Sequence, residues 1–193
     1  MVIALDCSLP LRDEPLRVLE AGVPVALTGE LLTLRDASAA RLVAAIERGE
    51  YLPVDLRGRL MYAVGPSPAR PGHVIGAPTP TTTARLVSFL PSLLEAGIKG
   101  IIGKGDLHGE IVERLVQHGA VYLATIGGLG ALLTEHIVRA DVVAFADLGP
   151  EAIYRFTVEW FPAIVAIDTR GHNLHETART AWRRPGPGGE RSA

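Results

Sequence analysis

The sequence predicts an α/β domain built on parallel strands, and three observations carry that reading. In the middle of the chain, short apolar runs alternate with amphipathic helical stretches, the pattern of consecutive βαβ units. Strand-like runs crowd toward both ends, which points to a second, small sheet. The 193 residues fit one domain, and 48 % hydrophobic with 21 % charged residues is ordinary for a globular chain. The expected domain covers residues 1–182, followed by a tail over 183–193 that is rich in Arg, Pro and Gly and reads as disordered.

Each element has its own justification. Residues 9–23 hold two prolines and scattered charges and read as a lead-in segment with at most a turn of helix. Pro24-Val-Ala-Leu27 is a short apolar strand ending at the turn Thr28-Gly29. Residues 36–48 read as a helix, with Ala37, Ala40, Ala44 and Ala45 as helix formers and Leu42, Val43 and Ile46 as its apolar stripe, stopped by Gly49. Met61-Tyr-Ala-Val64 is a strand broken by Gly65-Pro66, and 66–80 is a long loop. A helix is expected from Thr82 through Leu86, Phe89 and Leu90, ended or kinked at Pro91. Residues 98–102 form a strand running into Gly103-Lys104-Gly105, and Asp106 suits the N-cap of a helix that buries Ile111, Val112, Leu115 and Val116. A strand over 120–125 turns at Gly127-Gly128 into a helix through Leu132, Leu133, Ile137 and Val138. Strands over 142–146, 153–158 and 163–167 complete the chain before Asp168.

Composition excludes several classes of function. A net charge of −2 leaves no basic footprint for nucleic acid or for an anionic membrane, so any anion must be gripped by a few local cations. Cys7 is the single cysteine, which rules out an internal disulfide and a cysteine-ligated iron–sulfur cluster held by this chain alone. Cys7 itself reads as a small hydrophobe. The first residues lack the basic start and apolar run of a secretory signal, and no stretch approaches ~20 apolar residues, so a cytoplasmic, membrane-free protein is expected.

Three cationic spots fall where elements meet loops: Arg35 before the first helix, Arg85 after Thr81-Thr82-Thr83, and Lys104 between two glycines. All lie near predicted helix starts, whose unpaired N–H groups and partial positive charge favour anions. Arginine adds a two-pronged grip on a carboxylate. Gly103-Lys104-Gly105 is not a phosphate-binding loop of the Walker type, because its spacing is wrong and no Ser or Thr follows the lysine. A single helix cap explains one of the three threonines; Thr81, four residues before Arg85, can face the same side as the guanidinium. Gly127-Gly128-Leu129-Gly130 reads as a tight strand-to-helix turn or as a further wall of the same anion site. The six histidines, His172 and His175 among them, read as surface residues and not as a metal pair.

The ordered set Thr28-Gly29, Arg35-Asp36-Ala37, Tyr62 to Gly65-Pro66, Pro80-Thr81-Thr82-Thr83-Ala84-Arg85-Leu86, Gly103-Lys104-Gly105, Gly127-Gly128, Phe161-Pro162 to Asp168 and Gly171 resembles the C-terminal domain of class I fumarases. It is equally similar to the separate β subunits of fumarase and L-tartrate dehydratase. The resemblance runs from about residue 9 to residue 175. It implies a three-layer β/β/α swivelling domain, with a mixed or parallel central sheet and helices on one side. It implies a hydro-lyase that reversibly hydrates a small dicarboxylate of the fumarate/malate or tartrate type, active only with a larger, cysteine-bearing α subunit in a hetero-oligomer. That partner would hold a 4Fe–4S cluster. In this chain the resemblance assigns carboxylate binding to Arg35, Arg85 and Lys104, and proton transfer to Thr81, with Lys104 beside it in the catalytic set. Three places depart from the family pattern: Ala39 stands where the family carries histidine, Leu86 replaces a methionine, and Ala77-Pro78-Thr79 stands where a glycine is more usual. The alternative reading of the same residues is a non-catalytic anion-binding or regulatory module that docks on a partner.

Overall fold

The structure, a computed structural model, describes residues 4–10 and 16–183. Two long strands organise it. β2 (Pro24–Leu34) and β7 (Ile153–Ile167) run antiparallel, in register from Pro24↔Ile164 to Leu32↔Arg155. The other edge of β2 takes β1 (Leu5–Ser8) and then β3 (Leu60–Ala63), both parallel. β4 (Gly100–Gly103) and β5 (Val121–Ala124) continue the parallel set, and β5 returns to β7 antiparallel. With β2 also paired to β7, the strands β2-β3-β4-β5-β7 close on themselves as a barrel, and β1 and β6 (Ile137–Ala144) hang from its two long strands.

The expected α/β class and mixed pairing hold, and the expected layering is corrected. The two β layers are walls of one closed barrel and not two separate sheets. β2 and β7 have 11 and 15 residues, long enough for each to serve two neighbours in succession on one edge. A register shift between Leu27 and Gly29 bends the β2–β7 ladder, and bends of this kind let a sheet curl shut.

Period-two alternation sorts the strands' apolar residues between two cores. Leu60 and Tyr62, Ile102, Val121 and Leu123, and Phe156, Val158 and Phe161 fill the inner one. Met61, Ala63, Ile101 and Tyr122 face outward, where α1 (Asp36–Glu47), α2 (Leu90–Glu95) and α3 (Glu110–Gln117) cover them with Leu42, Leu93 and Leu115. Both faces of β3 and β4 are thus dry, which is why all eight of their residues are buried and read as continuous apolar runs. Truncating a residue such as Ile101, fully buried, to alanine costs about 2–5 kcal/mol.

Several local expectations shift. Residues 83–90 are not one helix: a 3-10 turn spans Thr83–Leu86, and α2 begins at Leu90 with Pro91 in its first turn, where a missing N–H is harmless. Asp106 does not cap α3, which starts after Gly109; its carboxylate pairs with Arg179 of α5 (Leu174–Trp182). α4 (Gly130–Thr134) stops early, so Ile137 and Val138 belong to β6. The two expected strands over 153–158 and 163–167 are the single strand β7, turned at Trp160 (φ 54°). The expected tail lies outside the described residues from 184 onward, as does 11–15 of the lead-in segment. Among the described residues no helix is long and apolar enough to cross a membrane.

Candidate functional site

The parallel strands β2, β3, β4 and β5 end at one rim of the barrel, and each hands the chain to a candidate residue. Arg35 follows β2, Gly65 lies just beyond β3, Lys104 follows β4, and Gly127 lies just beyond β5. Crevices at the carboxyl ends of parallel strands are the usual place for ligands in α/β sheets.

Arg35 is the N-cap of α1, with an extended backbone whose N–H donates to Ser38 Oγ at 3.0 Å. Its Nε donates to Asp36 Oδ2 at 3.4 Å, and its Nη2 lies 3.3 Å from Glu151 Oε1. The second Glu151 oxygen accepts the Ala37 N–H at 2.8 Å, satisfying one of the helix's orphan donors with a charge that suits that end. Arg85 comes to the same place from the 3-10 turn. Its Nε donates to Asp36 Oδ1 at 3.1 Å and its Nη2 stands 3.1 Å from Oδ2. One carboxylate therefore gathers both arginines. Gly65 makes room for this, since a Cβ there would sit 2.8 Å from Arg35 Nη1 and 3.0 Å from the Pro150 carbonyl oxygen.

The three threonines have different duties. Thr81 N–H donates to the Ala63 carbonyl at 2.7 Å, tying the segment to the end of β3. Thr82 forms an isolated parallel bridge with Lys104, and Thr83 N–H donates to the Lys104 carbonyl at 3.0 Å. Thr83 is fully buried, with Oγ1 3.2 Å from Tyr122 OH, and that phenol donates to the Gly105 carbonyl at 2.9 Å. The phenol has one proton, so Thr83 is the donor to Tyr122. Burial pushes the Tyr122 pKa up to about 12, against a smaller lowering by the Thr83 hydrogen bond. Gly103 is required here: a Cβ would land on Thr83 Oγ1. Lys104 then lies along Gly127, its Nζ 3.5 Å from where a Cβ would be. Among the described residues, neither the Thr81 hydroxyl nor the Lys104 ammonium has a hydrogen-bond or ion-pair partner.

The structure thus places Arg35, Thr81, Arg85 and Lys104 on one rim. It joins the arginines through Asp36, and it joins Thr81 to Lys104 only through the backbone of 81–83. Sequence reading gave Asp36 and Glu151 no part. Asp36 was visible beside Arg35; Glu151, 114 positions from its partner Ala37, carries no local signal. Ala39, one departure from the family pattern, is fully buried in the outer core. One surface cavity lies away from this rim, under the 66–80 loop against Thr134 and Ile137.

The remaining candidates have structural roles. Asp168 is fully buried at the end of β7. Burial works to raise its pKa, but the Arg170 N–H, the His172 ring and the His172 and Ala21 N–H groups prevail and hold it below the usual carboxylate range. His172 Nδ1 lies 2.9 Å from that carboxylate. Among the described residues no group of three or more His, Cys, Asp or Glu could hold a metal ion. Cys7 is buried in the inner core, and burial, with help from the Asp6 charge, raises its pKa and keeps it a thiol.

A family model described as "Fumarase C-terminus" matches residues 2–178. The "Putative L(+)-tartrate dehydratase subunit beta" of Methanocaldococcus jannaschii is 34 % identical over 172 residues, covering 86 % of this chain and 88 % of that protein. The "Fumarate hydratase class I, aerobic" of Salmonella typhimurium is 29 % identical over 183 residues, covering 93 % of this chain and 32 % of that protein. "Fumarate hydratase 2" of Leishmania major is 31 % identical over 156 residues, 80 % of this chain and 28 % of that protein. The chain therefore spans about a third of the length of the fumarate hydratases it matches, and most of the tartrate dehydratase subunit.

Proposed function

The chain belongs to the fumarase C-terminus family, and from that premise we propose that it is the β subunit of a hydro-lyase for a small dicarboxylate, completed by a larger α subunit. The observation that carries the reading is the convergence of Arg35, Arg85, Lys104 and Thr81 on one rim, with Lys104 and Thr81 unengaged among the described residues. A dicarboxylate needs at least two cationic clamps. Arg35 and Arg85 supply planar guanidiniums for one carboxylate, and Lys104 supplies a mobile point charge for the other. An intermediate with charge developed on a carboxylate is favoured by the same preorganised cations.

Thr81 takes or returns the proton at the carbon beside that carboxylate. A threonine hydroxyl is a poor base alone, and the neighbouring Lys104 cation makes its ionised form less costly. The 4Fe–4S cluster that the resemblance implies does not fit this chain, whose one cysteine is buried in the barrel core. The cluster belongs to the proposed partner, and every role assigned here is that of a clamp or a proton carrier.

The test is co-expression with a cysteine-bearing α chain from the same source, followed by anaerobic purification and assay with fumarate, malate and tartrate. Hydration or dehydration by the pair, lost on Lys104→Ala without loss of assembly, is the expected result. A cluster-loaded pair that turns over none of them, or one indifferent to Lys104→Ala, overturns the reading in favour of a non-catalytic anion-binding module.

A further inference from the structure

We propose that Asp36 is a positioning residue that sets the spacing of the two arginine clamps, an inference that rests on the hydro-lyase reading for its functional consequence. Arg85 stands on a four-residue 3-10 turn with its side chain 57 % exposed, and Asp36 is the partner the structure gives its guanidinium. A long side chain so exposed samples many rotamers unless something fixes it. Asp36 fixes it at both ends of one edge, Nε and Nη2, while Nη1 has no partner among the described residues. The same oxygen that meets Arg85 Nη2, Oδ2, also accepts from Arg35 Nε.

Two guanidiniums gathered at one point repel each other, and the shared carboxylate offsets that repulsion. Asp36 can do this with precision because it is the first residue of α1, a helix anchored in the outer core by Leu42 and Val43. Glu151 cannot replace it, since its two oxygens are committed to Arg35 and to the Ala37 N–H. Asp36 touches no substrate in this scheme; it acts through Arg85 and Arg35.

The conservative test is Asp36→Asn, which keeps the shape and removes the charge and one acceptor. In the assembled enzyme KM for the dicarboxylate should rise roughly tenfold, because Arg85 must then be ordered by the ligand itself. The turnover number should stay within about threefold, and the melting temperature should change little, since ion pairs this accessible to solvent each add little to stability. In an Arg85→Ala background the same change should have a much smaller effect on KM, which a merely structural role would not produce.

The second readout needs no turnover. In the full chain by itself, the Arg85 Nε–H should be slow to exchange with water in nitrogen-resolved spectra and should become fast in Asp36→Asn. An unchanged KM, an effect additive with Arg85→Ala, or an Arg85 Nε–H that exchanges equally fast in both chains overturns the proposal. If the arginine signals behave as expected but the wild-type pair turns over no dicarboxylate, the hydro-lyase reading fails, and the functional half of this proposal fails with it.

Discussion

Removing the Tyr122 hydroxyl tests how the rim loop is held. Tyr122→Phe deletes one oxygen that accepts from Thr83 at 3.2 Å and donates to the Gly105 carbonyl at 2.9 Å. The Gly105 carbonyl is on an exposed residue and recovers a water partner, so its loss costs about 0.5–1 kcal/mol. Thr83 is fully buried, and its stranded hydroxyl costs about 1–3 kcal/mol. The single variant should therefore lose about 1.5–4 kcal/mol. Thr83→Ala removes the same hydrogen bond plus a methyl and should lose about 2 kcal/mol. In the double variant no stranded hydroxyl remains, so the combined loss should fall short of the sum by about 1 kcal/mol. Urea unfolding of the four chains at neutral pH, read by circular dichroism, measures all three differences. A Tyr122→Phe loss under about 0.5 kcal/mol, or strict additivity, would refute the network described here.

Four further outcomes follow from the same geometry. Lys104→Ala should change unfolding free energy by no more than about 0.5 kcal/mol, since the ammonium has no partner among the described residues, while lowering kcat/KM of the assembled enzyme by at least ~100-fold; melts and initial rates separate the two. Gly65→Ala should push the Arg35 guanidinium off its place and press on the Pro150 carbonyl, costing about 1 kcal/mol in melts and a larger share of dicarboxylate affinity in calorimetry. Tyr122, raised in the folded state to about 12 from 10, gives a stability plateau below pH 10 that falls by about 2–3 kcal/mol as pH climbs to 12; Tyr122→Phe should flatten part of that slope. Asp168 has the opposite sign: its contribution is present above the ordinary carboxylate pKa of 3.8 and is lost as pH falls through its lower folded value, so Asp168→Asn should blunt acid unfolding.

The helix after Arg35 and the runs that became β3, β4 and β5 were legible because their signals are local: a 3.6-residue stripe in one case, short apolar runs bounded by glycine in the others. Barrel closure was not legible, because the β2–β7 pairing joins segments from opposite ends of the described chain and leaves no periodic trace. β7 read as two strands because Trp160-Phe161-Pro162 looks like a break; the chain instead turns through a left-handed residue and continues along β2. Asp106 matched the chemistry of an N-cap, but tertiary pairing with Arg179 claimed it. At the site, the cations stood out as charges beside glycines and helix starts. Their organisation did not, because Asp36 and Glu151 are unremarkable acids until α1 and the 3-10 turn Ala146–Glu151 are brought face to face.

The closing seam between β2 and β7 also has a kinetic consequence. β7 is made last among the barrel strands and β2 first, so the longest ladder among the described residues has to wait for the most distant partner. Loop closure over such a span is slow, and topologies dominated by non-local pairing fold late and cooperatively. Glu151, which holds Arg35, lies just ahead of that final strand. During synthesis Arg35 therefore cannot gain its Glu151 contact until the residues just ahead of the seam are made. A chain stalled before β7 would leave that edge of β2 unpaired, its N–H and C=O groups open to pairing with another chain.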